Sequence, residues 1–368
     1  MYRDLIHLEY VVRSGALHTL PDHVIYYYIK PWLEPPTNHL WELLKRNPDK
    51  GWDWTELSKN PNITWEIVQN IPDHYPRYWD WCELSMNPSV ATWEIVKDNL
   101  DKPWYWKYLS RNPNITWEIV QNNPDSDRKW EDRWDWYGLS INPSIATWEI
   151  VQNNPDKPWW WDGLSKNLNI TREIIQNNPT KPWDWGELSK NPNITWEIVQ
   201  NNPDEWWDWD ALSKNPNITW GIVQNNSDSD RQYKDRWRWY CLSQNPNITW
   251  EIVQNNSDSD RQYKDRWDWY RLSYNPNITW ESVQNNLDKP WNWYYLSRNP
   301  NITWEIVQNN PNSDREPGKE WNWNGLSMNP NITWEIVQNN PDSDREPYDH
   351  WDWNELSKNT FNSCHSRK

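Results

Sequence analysis

The chain has 368 residues, a formal net charge of −16 and only 36% hydrophobic residues, a composition that by itself is typical of disorder. Its 39 Trp and 18 Tyr argue for a folded core, because each buried aromatic ring removes roughly 150–250 Å² from water. The three cysteines are odd in number and far apart, which excludes a disulfide framework and a zinc-finger spacing and indicates a reducing compartment.

The first 37 residues differ from the rest of the chain. The opening stretch, MYRDLIHLEYVVRSG, places Asp4 and Glu9 among its apolar residues and has no small-residue cleavage site. The sequence therefore predicts neither a signal peptide nor a membrane span. We expect an intracellular protein that is not secreted and does not act at a membrane.

Residues 20–33, LPDHVIYYYIKPWL, predict a helix with Pro near its start. The segment resembles the first part of an F-box, and the matching residues are Leu20, Pro21, Val24, Ile25, Ile29 and Leu33. In that family the helix docks an adaptor of a ubiquitin ligase, and a following repeat array recruits the substrate. The alternative is that residues 1–37 are a helical cap of the repeat array that follows.

Residues 38–359 form a tandem repeat with a basic period of 24 residues, followed by a tail at 360–368. Twelve W-x-W pairs mark the copies, and their first Trp residues are 52, 79, 104, 134, 159, 183, 207, 237, 267, 291, 321 and 351. A fixed period in this range indicates a solenoid, in which neighbouring units bury their apolar faces jointly. We expect the half-repeat at 351–368 to close the end of the array.

Helix signals flank both halves of each repeat. Thr303 is a good N-cap, and Glu305 lies in the first turn. Asn309 and Asn310 followed by Pro311 predict a stop, with Asn in the left-handed conformation that it tolerates at a helix end. The other half places Trp185 and Leu188 at helical spacing. The predicted fold is therefore all-α, an α-solenoid of about twelve short helix-turn-helix repeats with helices of about two turns.

A leucine-rich-repeat-like β-solenoid is the alternative, since LSKNPNIT at 188–195 is similar to that family's pattern. In that pattern the position two residues before Leu should be apolar, and here it varies freely.

The internal copies separate constant from variable positions. Leu, Ser and Asn of L-S-x-N occur in all twelve copies. We interpret Leu as a core residue, Ser as a small packing residue or one bonded to its own helix, and Asn as a helix stop. The two residues after W-x-W and the residue after L-S vary, and the first and last of these share one helix face. The predicted binding surface on this face is Tyr137, Ile141, Tyr240, Tyr270, Arg271, Tyr274, Tyr294, Tyr295 and Arg298. Exposed positions that drifted after duplication are the alternative interpretation.

No motif indicates catalysis. The sequence has no nucleophile motif, phosphate loop or metal-ligand cluster, and its seven His are not paired with carboxylates in any recognisable pattern. We therefore predict a non-enzymatic protein with no cofactor and no bound metal. Nucleic acid is not an expected partner, because the net charge repels phosphate. Only a thin line of cations opposes it, formed by Lys59, Arg111, Lys166, Lys190 and Lys214.

The unit WDWxxLSxNPNITWEIVQNNPDKP, over residues 38–359, resembles Trp-rich tandem repeats in proteins of giant DNA viruses of amoebae and other protists. The resemblance implies a helical repeat protein in the host cytoplasm or the virion, and it supplies no catalytic residue. Leu168 and Arg172 depart from the unit and predict a weak point or a bend. The expected function is a monomeric scaffold that binds other macromolecules, chiefly protein. The alternatives are the F-box-like ligase adaptor, and a carbohydrate-binding or purely structural role.

Overall fold

The computed structural model describes residues 38–71, 79–123, 133–228, 236–256, 267–311, 318–341 and 350–361. Within these ranges the chain forms 24 short helices and no strand. The predicted α-solenoid is confirmed, and the β-solenoid alternative is wrong. The predicted cap at residues 1–37 lies outside the described residues, and so does the tail beyond residue 361.

Each repeat contains two helices, except the last, of which only the first helix lies in the described residues. The first helix begins at the second Trp of W-x-W, and the second helix begins directly after the Thr of the N-I-T or A-T sequence. The first helices are α2 (Trp54–Lys59), α4 (Trp81–Met86), α6 (Trp106–Leu109), α8 (Trp136–Ile141), α10 (Trp161–Lys166), α12 (Trp185–Leu188), α14 (Trp209–Lys214), α16 (Trp239–Leu242), α18 (Trp269–Leu272), α20 (Trp293–Arg298), α22 (Trp323–Ser327) and α24 (Trp353–Leu356). The second helices are α3 (Trp65–Asn70), α5 (Trp93–Asp98), α7 (Trp117–Asn122), α9 (Trp148–Asn153), α11 (Arg172–Asn177), α13 (Trp196–Asn201), α15 (Trp220–Asp228), α17 (Trp250–Asn255), α19 (Trp280–Gln284), α21 (Trp304–Asn309) and α23 (Trp334–Asn339), and one further helix, α1 (His39–Arg46), precedes the first W-x-W pair.

The middle residue of W-x-W is the N-cap of the first helix, a role that the sequence analysis missed. In nine copies it is Asp or Asn, and its side chain accepts a hydrogen bond from a backbone N–H of the first turn. In α2, for example, Asp53 accepts from the N–H of Glu56 at 3.0 Å. This bond satisfies one of the donors that a helix start leaves open.

The second helix begins as predicted and ends differently. The Thr303 hydroxyl accepts from the N–H of Ile306 at 3.4 Å, so Thr303 is the N-cap of α21. At the other end Asn310 has a φ of −135°, which is not the left-handed conformation that we expected. Its side chain donates to the Ile306 carbonyl at 2.8 Å, and its own carbonyl accepts from the Trp321 indole N–H at 2.8 Å.

That indole bond recurs around the array. In ten of the twelve copies the first Trp of W-x-W donates its indole N–H to a backbone carbonyl at the end of the preceding second helix. The ring is buried while its polar edge is satisfied. The first Trp therefore fixes each repeat to the end of the one before it.

Buried Ser and Asn side chains join consecutive repeats. The Ser273 hydroxyl donates to the Trp269 carbonyl of its own helix at 2.7 Å and accepts from the N–H of Asn292 in the next repeat at 2.9 Å. The Asn299 side chain donates to the carbonyls of Ser273 and Asn275, each at 3.0 Å. The predicted hydrogen bond of Ser to its own helix is confirmed. The role of Asn in connecting the repeats was not predicted.

The two helical layers differ in the size of the side chains between repeats. First helices pack directly on one another, through Ser residues that are fully buried and through small residues such as Gly325. In the layer of second helices, Trp clusters fill the space between repeats: Trp304 contacts Trp323 and Trp351, at centroid distances of 6.1 and 5.8 Å. Neighbouring repeats are therefore closer together at their first helices, where small residues meet, than at their second helices, where indoles lie between them. The array therefore curves with the first helices on its inner side.

The curvature closes the array into a ring. The N–H of Asp53 in the first repeat donates to the Ser357 hydroxyl of the last at 3.0 Å. The Asn60 side chain donates to the carbonyls of Ser357 and Asn359 at 2.9 and 3.0 Å. These are the same bonds that join consecutive repeats elsewhere, made here between residues almost 300 positions apart. We call this joint the seam.

The layer of second helices is also joined at the seam. Helix α1 packs against α23, and the His39 ring stacks on Trp334 at 5.1 Å. Helix α1 therefore supplies the twelfth second helix, which the last repeat lacks among the described residues. The half-repeat that begins at residue 351 does not close the end of an open array, as we expected, because it pairs with the first repeat.

The ring has an opening of appreciable size. Adjacent helix axes are roughly 8–10 Å apart, so the axes of twelve first helices lie on a circle with a diameter of about 30–38 Å. Subtracting a helix diameter of about 10–12 Å leaves an opening of roughly 18–28 Å. The side chains on the inner face of the first helices line it.

Candidate binding surface

The variable positions follow one another along the first helices, and we call them the first-helix band. It consists of the two residues after W-x-W and the residue after L-S in each of the twelve repeats. Most of these positions are accessible, but Gly138, Gly163, Cys241 and Gly325 are buried. On α2 the fully buried residues are Leu57 and Ser58, and Thr55 and Lys59 are exposed on the opposite side. Because the first helices form the inner layer, the band faces the opening of the ring.

The structure brings seven of the nine predicted binding residues together on three consecutive repeats. They lie on or directly after α16, α18 and α20, and they contact one another across the joints between repeats. We call this group the Tyr/Arg cluster: Tyr240, Tyr270, Arg271, Tyr274, Tyr294, Tyr295 and Arg298.

Aromatic contacts hold the cluster together. The rings of Tyr270 and Tyr295 are 4.2 Å apart, and their hydroxyls share a hydrogen bond of 2.5 Å. Tyr295 also contacts Tyr274 and Tyr294, at 6.1 and 4.9 Å. Three of these side chains keep large exposed fractions, 48% for Tyr270, 39% for Tyr274 and 36% for Tyr240. The cluster is thus ordered by internal contacts and still accessible.

Both arginines of the cluster stack on tyrosine rings. The Arg271 guanidinium lies 4.9 Å from the centroid of Tyr240 in the preceding repeat. Arg298 lies 5.1 Å from the centroid of Tyr274, again one repeat back. A stacked guanidinium still presents N–H donors along its edge. The cluster therefore combines apolar ring faces with two positioned cationic donors.

Tyr137 and Ile141, on α8, lie apart from this cluster. Tyr137 is in contact with two cations, Arg111 at 5.4 Å from its ring and the Lys166 ammonium, which donates to its hydroxyl at 2.8 Å. Sequence analysis placed both cations in the thin basic line and did not associate them with Tyr137. Ile141 is half-buried beside Gly163 of the next repeat. Ile141 is therefore mainly a contact between repeats.

Two groups of the band have shifted pKa values. The hydrogen bond to Tyr270 raises the pKa of the Tyr295 phenol, with burial acting in the same direction, so Tyr295 stays protonated at neutral pH. Burial lowers the pKa of Lys166, but the hydrogen bond to Tyr137 and the nearby Glu187 carboxylate together raise it above its ordinary value. Lys166 therefore stays charged.

Charge is distributed differently in the band and in the whole chain. The band holds nine Lys and Arg and six Asp and Glu, so cations are in excess there. The whole chain holds 37 Lys and Arg and 53 Asp and Glu, so carboxylates are in excess. The band carboxylates are Glu56, Glu83, Asp162, Glu187, Asp210 and Glu355. None of them lies on the three repeats that carry the Tyr/Arg cluster. The ring is thus acidic overall, with a basic and aromatic sector on its inner face.

Neither a metal-ligand group nor a membrane-spanning helix is found in the described part of the chain. Within the ranges given above, no group of three or more His, Cys, Asp and Glu is placed to hold a metal ion. The helices of those ranges are all too short or too polar to cross a membrane. The six residues predicted to dock a ligase adaptor, from Leu20 to Leu33, lie outside the described residues.

Comparisons with models of protein families, with curated proteins and with solved structures found no match. The resemblance to the repeats of giant viruses therefore stays a prediction, and so does its implication of a viral host compartment. The function has to be argued from the ring and its first-helix band.

Proposed function

We propose that this chain is a non-enzymatic scaffold that binds a protein partner through the first-helix band, with the Tyr/Arg cluster as its main contact. The supporting observation is that exposed Tyr and stacked Arg side chains meet on three consecutive repeats. Tyr and Arg are enriched among the few residues that carry most of the binding energy at interfaces.

Preorganisation supports the same proposal. The cluster side chains already contact one another across two joints, and buried Ser and Asn side chains fix the helices that carry them. A partner would therefore order few additional side chains, and the entropic cost of binding falls accordingly. Drift after duplication, the alternative interpretation, gives no reason for seven variable residues to form one contiguous surface.

The test is partner retention by the full-length chain and by the triple variant Tyr270→Ala, Arg271→Ala, Tyr274→Ala. We expect the variant to lose at least tenfold of the retained protein partners, measured by quantitative mass spectrometry of material captured from cell lysate. Its unfolding midpoint should stay close to that of the parent, because none of the three replaced side chains is buried.

The matched control is Glu281→Ala, Gln284→Ala. Both side chains are exposed on α19, the second helix of the same repeat and so on the outer layer. This control should retain the full partner set. Equal retention by the triple variant and the control would refute the band as the binding surface.

Ring closure favours a second candidate function, the F-box-like adaptor. A cap is needed where a solenoid ends in an exposed apolar face, but here the first and last repeats cover each other. Residues 1–37 are then available to dock another protein. Deletion of residues 1–37 should remove ubiquitin-ligase components from the captured set and leave the other partners. An unchanged set after deletion would refute this candidate.

A further inference from the structure

We infer that the Tyr/Arg cluster binds an extended, acidic segment of the partner protein, with carboxylates placed on Arg271 and Arg298 and apolar side chains placed on the tyrosine rings. This inference rests on the proposed function and specifies the chemistry of the partner.

Charge is the first argument. Across the three repeats of the cluster, the variable positions carry two Arg and no Asp or Glu. Elsewhere in the band, four of the six carboxylates pair with lysines. Lys190 is bound to Glu187 at 3.0 Å, and Lys358 to Glu355 at 2.9 Å. The nearest acidic partner of Arg271 is Asp268, at a longer 3.8 Å. A carboxylate from a partner therefore finds donors here that the protein itself does not fully use.

The geometry of the arginines is the second argument. Each guanidinium lies over the Tyr ring of the preceding repeat, at about 5 Å, so stacking restricts its position. A planar guanidinium held in this way can bind a carboxylate through two parallel N–H donors. Arg271 and Arg298 come from successive repeats, so two such sites are one helix spacing apart.

The length of the cluster sets the length of the segment. Three neighbouring helices cover roughly 16–20 Å between the first and last axes. An extended chain rises roughly 3.3 Å per residue and needs about five or six residues to cover that distance. Alternate side chains of such a chain point to opposite faces. Acidic residues two apart then share one face, about 7 Å from each other, and their flexible side chains can reach both arginines.

A single-stranded nucleic acid is a different occupant that also stacks on aromatic rings. It requires cations that follow its backbone, and the cluster offers only two. On one side, Asp210 lies in the preceding repeat and accepts a hydrogen bond from Tyr240. On the other side, the nearest band carboxylate is Glu355, two repeats beyond the cluster. A short acidic peptide avoids these carboxylates, whereas a polyanion that continues along the band does not.

The test uses the full-length chain and a fluorescent ten-residue peptide in which Glu and Asp alternate with Leu and Phe. Its matched partner replaces every carboxylate by the amide, Gln or Asn. We expect the acidic peptide to bind at least tenfold more tightly by fluorescence anisotropy, and this preference should shrink as salt rises.

The protein variants locate the site. Arg271→Gln, Arg298→Gln should remove the preference for the acidic peptide. Lys157→Gln, Lys289→Gln removes the same charge from positions outside the first-helix band that already have carboxylate partners. It should leave binding within about twofold of the parent, as expected for screened surface pairs.

Three outcomes would overturn the inference. One is equal binding of the acidic and amide peptides, and another is no detectable binding of either. The third is tighter binding of a fluorescent single-stranded oligonucleotide that also depends on Arg271 and Arg298. In the first two cases, continued loss of captured proteins in the Tyr270, Arg271, Tyr274 variant would keep the proposed function while the acidic segment is rejected.

Discussion

The buried Asn of L-S-x-N shows how one residue type determines the contact between repeats. The Asn299 side chain satisfies two carbonyls of the previous repeat and accepts from the N–H of Asn301 at 2.9 Å. Leaving buried polar groups unpaired costs about 1–3 kcal/mol for each group. We expect Asn299→Ala to lower the free energy of unfolding by about 2–4 kcal/mol, measured by urea denaturation.

Asn309→Ala is the control for this prediction. Asn309 is exposed at the end of α21, and its replacement should change the stability by less than about 0.5 kcal/mol. Similar costs for the two variants would mean that the hydrogen bonds of Asn299 do not stabilise the joint.

Arg172 tests what the second-helix Trp contributes. The sequence departure at Leu168 and Arg172 predicted a weak point or a bend, but α11 keeps the usual length, and Arg172 forms an ion pair with Glu197. The joint is also retained, since Asn191 donates to Ser165 and Asn167 carbonyls at 3.3 and 3.1 Å. No bend follows from these contacts.

Restoring the consensus residue should therefore strengthen this repeat. In Arg172→Trp, the indole would meet Trp185 and Trp207, as Trp304 meets Trp323 and Trp351. We expect a gain of about 1–2 kcal/mol from burial of apolar area, measured as a higher urea midpoint. A lower midpoint would show that the pair with Glu197 stabilises the protein more than the missing indole would.

At the scale of the helices, the small residues between first helices determine the curvature. A Cβ added to Gly325 would overlap the Tyr294 backbone carbonyl and lie 3.0 Å from the Ser297 Cβ. Gly325→Ala should therefore force α20 and α22 apart and cost about 1–3 kcal/mol, measured by thermal or urea unfolding. Gly51→Ala is the control, because no atom lies within 4 Å of the added Cβ, and it should be neutral or slightly stabilising.

The sequence predicted the helices well because their signals are local. The Thr303 cap and the invariant Leu could be recognised from spacing and residue type alone. The Asp53 cap could have been found from the frequency of Asp and Asn inside W-x-W. The role of Asn299 could not be predicted, since its partners, Ser273 and Asn275, are about 25 residues away. An Asn directly after a helix is also explained more simply as a helix stop.

At the scale of the whole molecule, ring closure could not be predicted from sequence. Twelve repeats that complete one turn rotate by about 30° each. An error of a few degrees per repeat accumulates over the array to the width of a whole repeat, so local patterns do not settle whether the ends meet. All seven residues of the Tyr/Arg cluster were named from the sequence as binding residues. Their position on the inner face of a ring could not be predicted, because it depends on the closure of the array.

The seam is the joint at which the described repeats are held together without chain continuity, which makes it the place where the ring opens first. Removing its central polar contacts in Asn60→Ala, Ser357→Ala should open the ring, because Asp53, Ser357 and Asn359 then lose their partners. We expect a larger radius of gyration by small-angle X-ray scattering in the absence of denaturant.

The matched variant Asn191→Ala, Ser165→Ala removes the equivalent bonds at an internal joint, where the chain continues from one repeat to the next. It should lose as much stability as the seam variant, about 3–6 kcal/mol for the several groups left unpaired, without expanding. Identical scattering from both variants would mean that the aromatic contacts of the seam, Trp52 on Trp353 and His39 on Trp334, keep the ring closed without those hydrogen bonds.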